Sequence, residues 1–261
     1  MANILYFSHG GGPLPILGEP GHREMIAFMK QLPNTLQRPE AIVVISAHWE
    51  EPAPFIIGSA APELLYDYHG FPKETYELQY AAPDNTGLAA KLQHLFDESM
   101  LNAFITDHRG LDHGVFIPLL MMYPEANIPV TQISLLKGLD PALHLSLGKV
   151  LRPLLKENIL IIGSGFSFHN MRVFDWSSSN TPDDKNDAFQ DWLIDICTGA
   201  HEQSYREAQL IGWEEAPHAR YCHPREEHLM PLHVCCGAAG CKGKLIFDNY
   251  ILGKRALAIL W

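Results

Sequence analysis

The sequence predicts an α/β protein, a single domain with a central, mostly parallel or mixed sheet flanked by helices. Three short runs rich in branched and aromatic residues, Ile4-Leu5-Tyr6-Phe7, Ala41-Ile42-Val43-Val44-Ile45 and Ile159-Leu160-Ile161-Ile162, read as strands buried on both faces. Stretches with helical spacing of apolar residues lie between them, and that alternation is what a helix-covered sheet requires. The chain has 261 residues, 47% of them hydrophobic, which is ample for a full core. No internal repeat, low-complexity tract or linker divides it, so one domain over 1–261 is expected.

The elements follow in order. Strand 4–7 delivers Ser8-His9-Gly10-Gly11-Gly12-Pro13. His22 to Leu32 reads as a helix with Met25, Phe28, Met29 and Leu32 on one face. Strand 41–45 delivers Ser46-Ala47-His48-Trp49, and Phe55-Ile56-Ile57-Gly58 is a further short strand. Leu65 to Pro72 is a loop rich in aromatic and turn-forming residues. Asn85 to Phe96 is helical, with Leu88, Leu92, Leu95 and Phe96 inward. Asp112-His113-Gly114 precedes an apolar helix over Val115–Met122. Ile128 to Leu135 is a strand with Pro129 near its start, where proline is tolerated. Pro141 to Leu155 is an amphipathic helix. Strand 159–162 delivers Gly163-Ser164-Gly165 and then Phe166-Ser167-Phe168-His169-Asn170. Ser177 to Lys185 is a polar loop, Asp187 to Cys197 a helix, and His218 to Glu227 a polar, His-rich loop. Leu229 to Ala239 is a helix broken by Gly237. Phe247–Leu252 and Ala256–Leu260 close the chain as strands, read as an antiparallel pair.

The net charge of −11 argues against a nucleic-acid partner, which selects a basic face, and against an anionic membrane surface. No apolar run approaches the roughly 20 residues of a membrane helix. No cationic start followed by a longer apolar stretch suggests a secretory leader. Five cysteines, an odd number lying late in the chain, do not resemble a disulfide framework. A reduced, cytoplasmic protein is expected; no feature specifies an oligomeric state.

Fourteen histidines are many for this length. His9, His48 and His169 each follow a strand, and in open α/β sheets the functional crevice lies outside the carboxyl ends of the strands. His113 and His228 each stand at the start of an apolar helix, and Glu226 and Glu227 precede His228. Neutral imidazole is the commonest protein ligand for transition metals. Two histidines with a carboxylate or a third histidine form a ligand set for Fe(II), Zn(II) or Mn(II). Any histidine left over suits general acid or base work. Singly, a histidine after a strand is more often structural. His22, His94, His144 and His201 lie on expected helices among polar neighbours and are expected at the surface, while His108, His218 and His233 carry no argument for a role. Gly10-Gly11-Gly12 lacks the Lys-Ser/Thr of a phosphate loop and the spacing of a dinucleotide fingerprint, so it reads as a tight turn for close approach to a ligand. Ser164 does not fit the G-x-S-x-G nucleophile frame. Cys235 and Cys236 read as core thiols; Cys222-His223 is a zinc pair without a second pair.

The motifs Ser8–Pro13, Ser46–Trp49, Asp67-Tyr68-His69-Gly70-Phe71-Pro72, Asp112–Gly114, Ser164-Gly165 through His169-Asn170, and Glu227-His228-Leu229-Met230-Pro231-Leu232 occur in the order of the class III extradiol ring-cleavage dioxygenases. Over essentially the whole chain the sequence resembles that family, with the DOPA 4,5-dioxygenase branch (LigB superfamily) the nearest pattern. The resemblance implies that His9 and His48 are the first two metal ligands. It implies either His228, as in the DOPA branch, or Glu227, as in the protocatechuate branch, as the third. His169 matches the active-site histidine after the Ser-Gly motif, an acid/base group or a fourth ligand. His113 matches a histidine beside the substrate. The bacterial His-Gly-Ser-Pro is replaced by His-Gly-Gly-Gly-Pro, which reshapes the loop after the first ligand, and His223-Pro224 is closer to the plant branch.

The resemblance implies a catecholic substrate and O2, with Fe(II) needed for activity and Zn(II) able to occupy the same site. Tyr68, His69 and Phe71 then line the flat ring. Two other readings share the scaffold: a zinc-dependent hydrolase needing no oxygen, and a non-catalytic metal- or ligand-binding relative.

Overall fold

A computed structural model describes residues 4–176 and 181–261. Its elements are β1 (Ile4–Ser8), α1 (Arg23–Gln31), β2 (Ala41–Glu51), β3 (Phe55–Ile57), α2 (Thr86–Glu98), β4 (Phe104–Thr106), α3 (His113–Met122), β5 (Val130–Leu136), α4 (Pro141–Val150), β6 (Ile159–Gly165), α5 (Asp184–Thr198), α6 (Gln203–Ile211), α7 (Ala219–Cys222), α8 (Met230–Ala239), β7 (Lys244–Ile251) and β8 (Lys254–Leu260). The strands form one mixed sheet in the order β4-β3-β5-β2-β6-β1-β8-β7. Its centre is parallel: β2 pairs with β5 and β6, and β6 with β1. Antiparallel pairs flank it on both sides, β3 with β5 and β8 with β1 and β7. The α/β architecture thus stands as the sequence predicts, including the closing antiparallel pair.

The central strands are buried on both faces because helices cover both, so β1, β5 and β6 read as continuous apolar runs rather than alternating ones. Met25 and Met29 pack inward from α1, Leu32 from the turn that follows it, and Ala89, Leu92 and Phe96 from α2. The Asp140 carboxylate accepts from the amides of Ala142 and Leu143 and starts α4, with Pro141 at its first position. Among the described residues, no helix is long and apolar enough to cross a membrane.

Several boundaries differ from the sequence reading. β2 runs on to Glu51, so His48 lies within a strand rather than after one. The register against β5 jumps from Ile45↔Ile133 to Glu50↔Leu135, so Ser46–Trp49 form a bulge. α4 stops at Val150 and a 3-10 turn over Arg152–Lys156 follows, with Pro153 unable to continue the α-helix. Of the expected polar loop over 177–185, residues 177–180 lie outside the described residues, and its end is already helical in α5. Gly237 does not break α8. A Cβ there would lie 2.1 Å from the Leu145 carbonyl oxygen, so the glycine is what lets α8 lie against α4. Strand β4 and helix α6 are additional elements. β4 is a three-residue edge strand, half-exposed, and α6 follows a helix-ending glycine too closely for periodicity to separate it from α5.

Two histidines expected at the surface are buried. The His22 ring accepts from the Gly11 amide at Nε2 (3.0 Å) and meets Glu19 at Nδ1 (2.5 Å). The His144 ring accepts from the Leu136 amide at Nε2 (3.1 Å) and donates to the Asp140 carbonyl at Nδ1 (2.7 Å). Both rings are fully satisfied by nearby backbone and side-chain groups, which removes the cost of burial. His201 is not helical; it lies before α6 and pairs with Asp195. His94 is exposed, as expected.

Candidate active site

Three neighbouring strands, β2, β6 and β1, end on one side of the sheet. His9 follows β1, held by its amide on the Gly165 carbonyl (2.9 Å). His48 projects from the β2 bulge, where the ladder to β6 has ended at Ser46↔Ser164. His169 lies four residues beyond β6, its amide on the Cys222 carbonyl (2.9 Å). His113 opens α3, and His228 sits two residues before α8, its carbonyl accepting from the Phe166 amide (3.1 Å). Gly165 makes this last approach possible, since a Cβ there would lie 2.2 Å from that carbonyl. All five rings line one cavity of about 440 Å3 at the carboxyl ends of the strands.

Four of the five rings have one nitrogen committed away from the cavity, and the fifth, His48, has its Nδ1 3.9 Å from Asp67 Oδ2. Ser164 Oγ donates to the Gly114 carbonyl (2.5 Å), so it accepts from His9 Nδ1 (2.9 Å) and leaves His9 Nε2 as a lone pair. Asp67 Oδ1 accepts from both the amide (3.0 Å) and Nδ1 (2.7 Å) of His113. Glu227 Oε1 lies 3.1 Å from His228 Nδ1 and 3.2 Å from His169 Nδ1, an acceptor for both. These outer carboxylates and hydroxyl fix tautomers in the way metal-binding histidines require. A fully buried Asp112 ties the site together beneath: it accepts from Ser46 (2.7 Å), from Gln132 and from Arg109 (3.3 Å), and Arg109 also donates to the His48 carbonyl (3.0 Å).

Burial first, and then the mutual proximity of the rings, hold His9, His48 and His228 well below an ordinary histidine. They are neutral at pH 7 and present unprotonated nitrogens. Burial alone would raise the Asp67 carboxyl, but the His113 hydrogen bond and the proximity of the His113 and His48 rings outweigh it and hold the group at about 2. Glu227 behaves likewise: His169 overcomes the effect of burial and lowers it.

The five rings are not equivalent. The centroids of His9, His48 and His228 are separated by 5.0, 5.3 and 4.9 Å, a near-equilateral triangle of rings tilted or edge-on to one another. His113 instead lies against the face of His48, with centroids 3.9 Å apart, and His169 stacks on His228 at 3.4 Å. By donor atoms alone the grouping is different. His9, His48 and His113 lie within 4.8 Å of one another, and so do His169, Glu227 and His228. Ring separation is the better guide, because the ligands of one ion radiate from it and keep their rings apart, whereas His113 and His169 flank the triangle, each packed against one of its rings. His9 Nε2 and His48 Nε2 are 3.2 Å apart. Two nitrogens each about 2.0–2.1 Å from a common metal lie about 3.0–3.4 Å apart, so the spacing fits a divalent ion.

A model of the catalytic LigB subunit of aromatic ring-opening dioxygenases matches residues 6–257. The chain belongs to the class III extradiol dioxygenases. Within that family it is similar to the DOPA dioxygenase branch. It is 42% identical to dioxygenase tasH of Hapsidospora irregularis over 100% of this chain and 86% of that one. It is 40% identical to the 4,5-DOPA dioxygenase extradiol of Beta vulgaris over 82% and 79% of the two chains. A crystal structure of an uncharacterized Escherichia coli K12 protein superposes with a TM-score of 0.78, at 25% identity and covering 98% of each chain. The protein is therefore an extradiol aromatic ring-opening dioxygenase, a non-haem metal-dependent enzyme whose family acts on a small aromatic substrate with O2.

Of the ring-binding residues expected for this dioxygenase, Tyr68 and Phe71 line the cavity and His69 does not; its side chain is exposed on the outer side of the loop. The Tyr68 hydroxyl donates to the Thr75 carbonyl (2.5 Å), and burial pushes it up to about 12, so Tyr68 offers its ring rather than a proton. Glu227 stands behind His169 and His228 and is not part of the cavity wall. Cys222 and His223 belong to no metal-sized cluster among the described residues, and the His223 ring bonds the Ser167 carbonyl (2.9 Å). The sequence reading missed Asp67, Asp112 and Ser164 as positioning groups. It also missed the apolar wall of Leu14, Phe166, Met171, Phe174, Trp176 and Leu252. Gly10 turns the loop after His9 with φ +84°, and a Cβ there would meet the His22 ring at 2.6 Å.

Proposed function

We propose that residues 1–261 are a single catalytic domain that opens a catechol ring beside the diol, with His9, His48 and His228 holding Fe(II). The observation that carries the ligand assignment is the triangle of imidazoles, with the other nitrogens of His9 and His228 held by Ser164 and Glu227. Bound there, Fe(II) would supply Lewis acidity toward a catechol and redox activity toward O2; Zn(II) would fit the same donors without the redox activity.

The remaining residues of the site then have separable tasks. His113 presents Nε2 to the cavity, with its Nδ1 proton held by Asp67, and takes a proton from a catechol hydroxyl. His169, oriented by Glu227, holds or returns a proton on the other flank of the triangle. Tyr68 and Phe71 wall the ring and exclude water, which strengthens every charge interaction inside. The product is a muconic semialdehyde-type compound.

The five free cysteines, four of them buried, support a reducing, cytoplasmic setting. The acidic net charge supports a small-molecule substrate without a nucleic-acid or membrane partner.

Protein loaded anaerobically with Fe(II) is expected to consume O2 and form a yellow ring-opened product from a catechol. The zinc-loaded protein is expected to do neither. Turnover that persists with zinc, or in His48→Ala, overturns the proposal.

A further inference from the structure

The cavity wall outside the histidines is almost wholly apolar, and Glu19 is the one acidic side chain among the described residues that lines it. Its partner is a neutral ring. The Gly11 amide donates to His22 Nε2, so His22 carries its proton on Nδ1, donates it to Glu19 Oε2 and stays neutral. Burial lowers His22 further from the charged form. The Glu19 side chain keeps 22% of its surface accessible and lines the cavity, a carboxylate whose partner is the neutral His22 ring. Among the described residues, no lysine or arginine lines the cavity. Arg172, beside Met171 in the chain, is exposed and outside the wall, and residues 177–180 read Ser-Ser-Ser-Asn, without charge.

We propose that the site takes catechols whose ring substituent is free of carboxylate, neutral or cationic, and that Glu19 is the specificity-determining residue that turns carboxylates away. This rests on the reading of the site as a catechol site. A carboxylate on the substituent would lose water against an apolar wall, find no cation, and face a like charge, each of which disfavours it. An ammonium group at the same position would meet Glu19 favourably. Selectivity by charge is therefore built into the loop that follows the first histidine, where His22 anchors both Glu19 and Gly11.

The test uses three catechols of similar size: 4-ethylcatechol (neutral), dopamine (ammonium) and 3,4-dihydroxyphenylacetate (carboxylate). Binding to the Fe(II)-loaded protein is read anaerobically by tryptophan fluorescence, for which Trp176 in the wall is a reporter, and kcat/KM by oxygen uptake. The acid is expected to bind about tenfold or more weakly than 4-ethylcatechol, and dopamine at least as tightly as 4-ethylcatechol. Glu19→Gln is expected to narrow the deficit of the acid to about threefold or less. Arg172→Gln is expected to leave the ratio unchanged. The acid binding as tightly as 4-ethylcatechol, an unchanged ratio in Glu19→Gln, or a selective loss of the acid in Arg172→Gln each overturns the proposal; the wild-type panel decides charge selectivity even if a variant fails to fold. If none of the three binds, the catechol reading itself falls, which is a different result from a carboxylate being accepted.

Discussion

The Ser164 hydroxyl accepts the Nδ1 proton of His9 at 2.9 Å while donating its own to the Gly114 carbonyl at 2.5 Å. One hydroxyl thereby selects the tautomer that leaves His9 Nε2 free. Ser164→Ala is expected to weaken Fe(II) or Zn(II) binding by about 10- to 100-fold, the usual cost of losing such a partner. Metal titration followed by competition with a chelator checks this, and the metal-free protein is expected to lose about 1–3 kcal/mol of stability as well, because the buried His9 Nδ1 proton and Gly114 carbonyl lose their partner.

His113 and His228 stand on opposite sides of the distinction between rings that radiate and rings that flank. His228→Ala is expected to abolish stoichiometric metal binding. His113→Asn is expected to retain the metal and lose about 10²- to 10⁴-fold in kcat, the range for a missing acid/base group. Metal content of the purified variants, measured beside oxygen uptake, separates the two. A metal-free His113→Asn would place that ring in the triangle instead.

The metal-free protein is expected to lose stability as the pH falls below about 6.5, the ordinary histidine value. The folded-state pKa values of His9, His48 and His228 are lowered, so between those values and about 6.5 the unfolded chain binds more protons than the folded one, and stability rises with pH across that window. His144, lowered to about 4 by burial, and His223, lowered to about 3 by burial, add to the same slope. Unfolding midpoints measured from pH 8 to pH 5, with and without metal, check it. Bound metal is expected to flatten the upper part of the curve and then dissociate as protons compete for the same nitrogens.

Gly237→Ala is expected to destabilise the protein by about 2 kcal/mol or more, because the added methyl meets the Leu145 backbone rather than a side chain that can move. Denaturant unfolding is the measurement. Oxygen uptake per folded, metal-loaded molecule is expected to stay near its original value, since the α4–α8 contact lies away from the cavity lining.

The sheet and the strand-end histidines were legible because both depend on local pattern. Apolar runs announce buried strands, and polar residues just past them announce a crevice. What pattern could not reveal is which groups stand opposite one another after folding. Asp67 is one more polar residue in an aromatic loop until that loop crosses to His113, 46 positions along the chain. Ser164 looked like a misplaced nucleophile because its partners, His9 and Gly114, come from other elements. His22 and His144 were misplaced for a related reason. Helical neighbours suggested water around them, but each ring bonds groups within eleven residues that periodicity ignores. The β2 bulge was invisible too, since a register jump is a property of two strands and not of one.

β6 contributes no ring to the triangle, yet it decides how much space the triangle has. Gly165 admits the His228 carbonyl at a distance no side chain would permit. A descendant could therefore lose its chemistry through one nucleotide change at codon 165 while every histidine stayed in place. Among relatives of this chain, an intact set of histidines is not by itself a certificate of activity; the small residues between them belong to the inheritance as well.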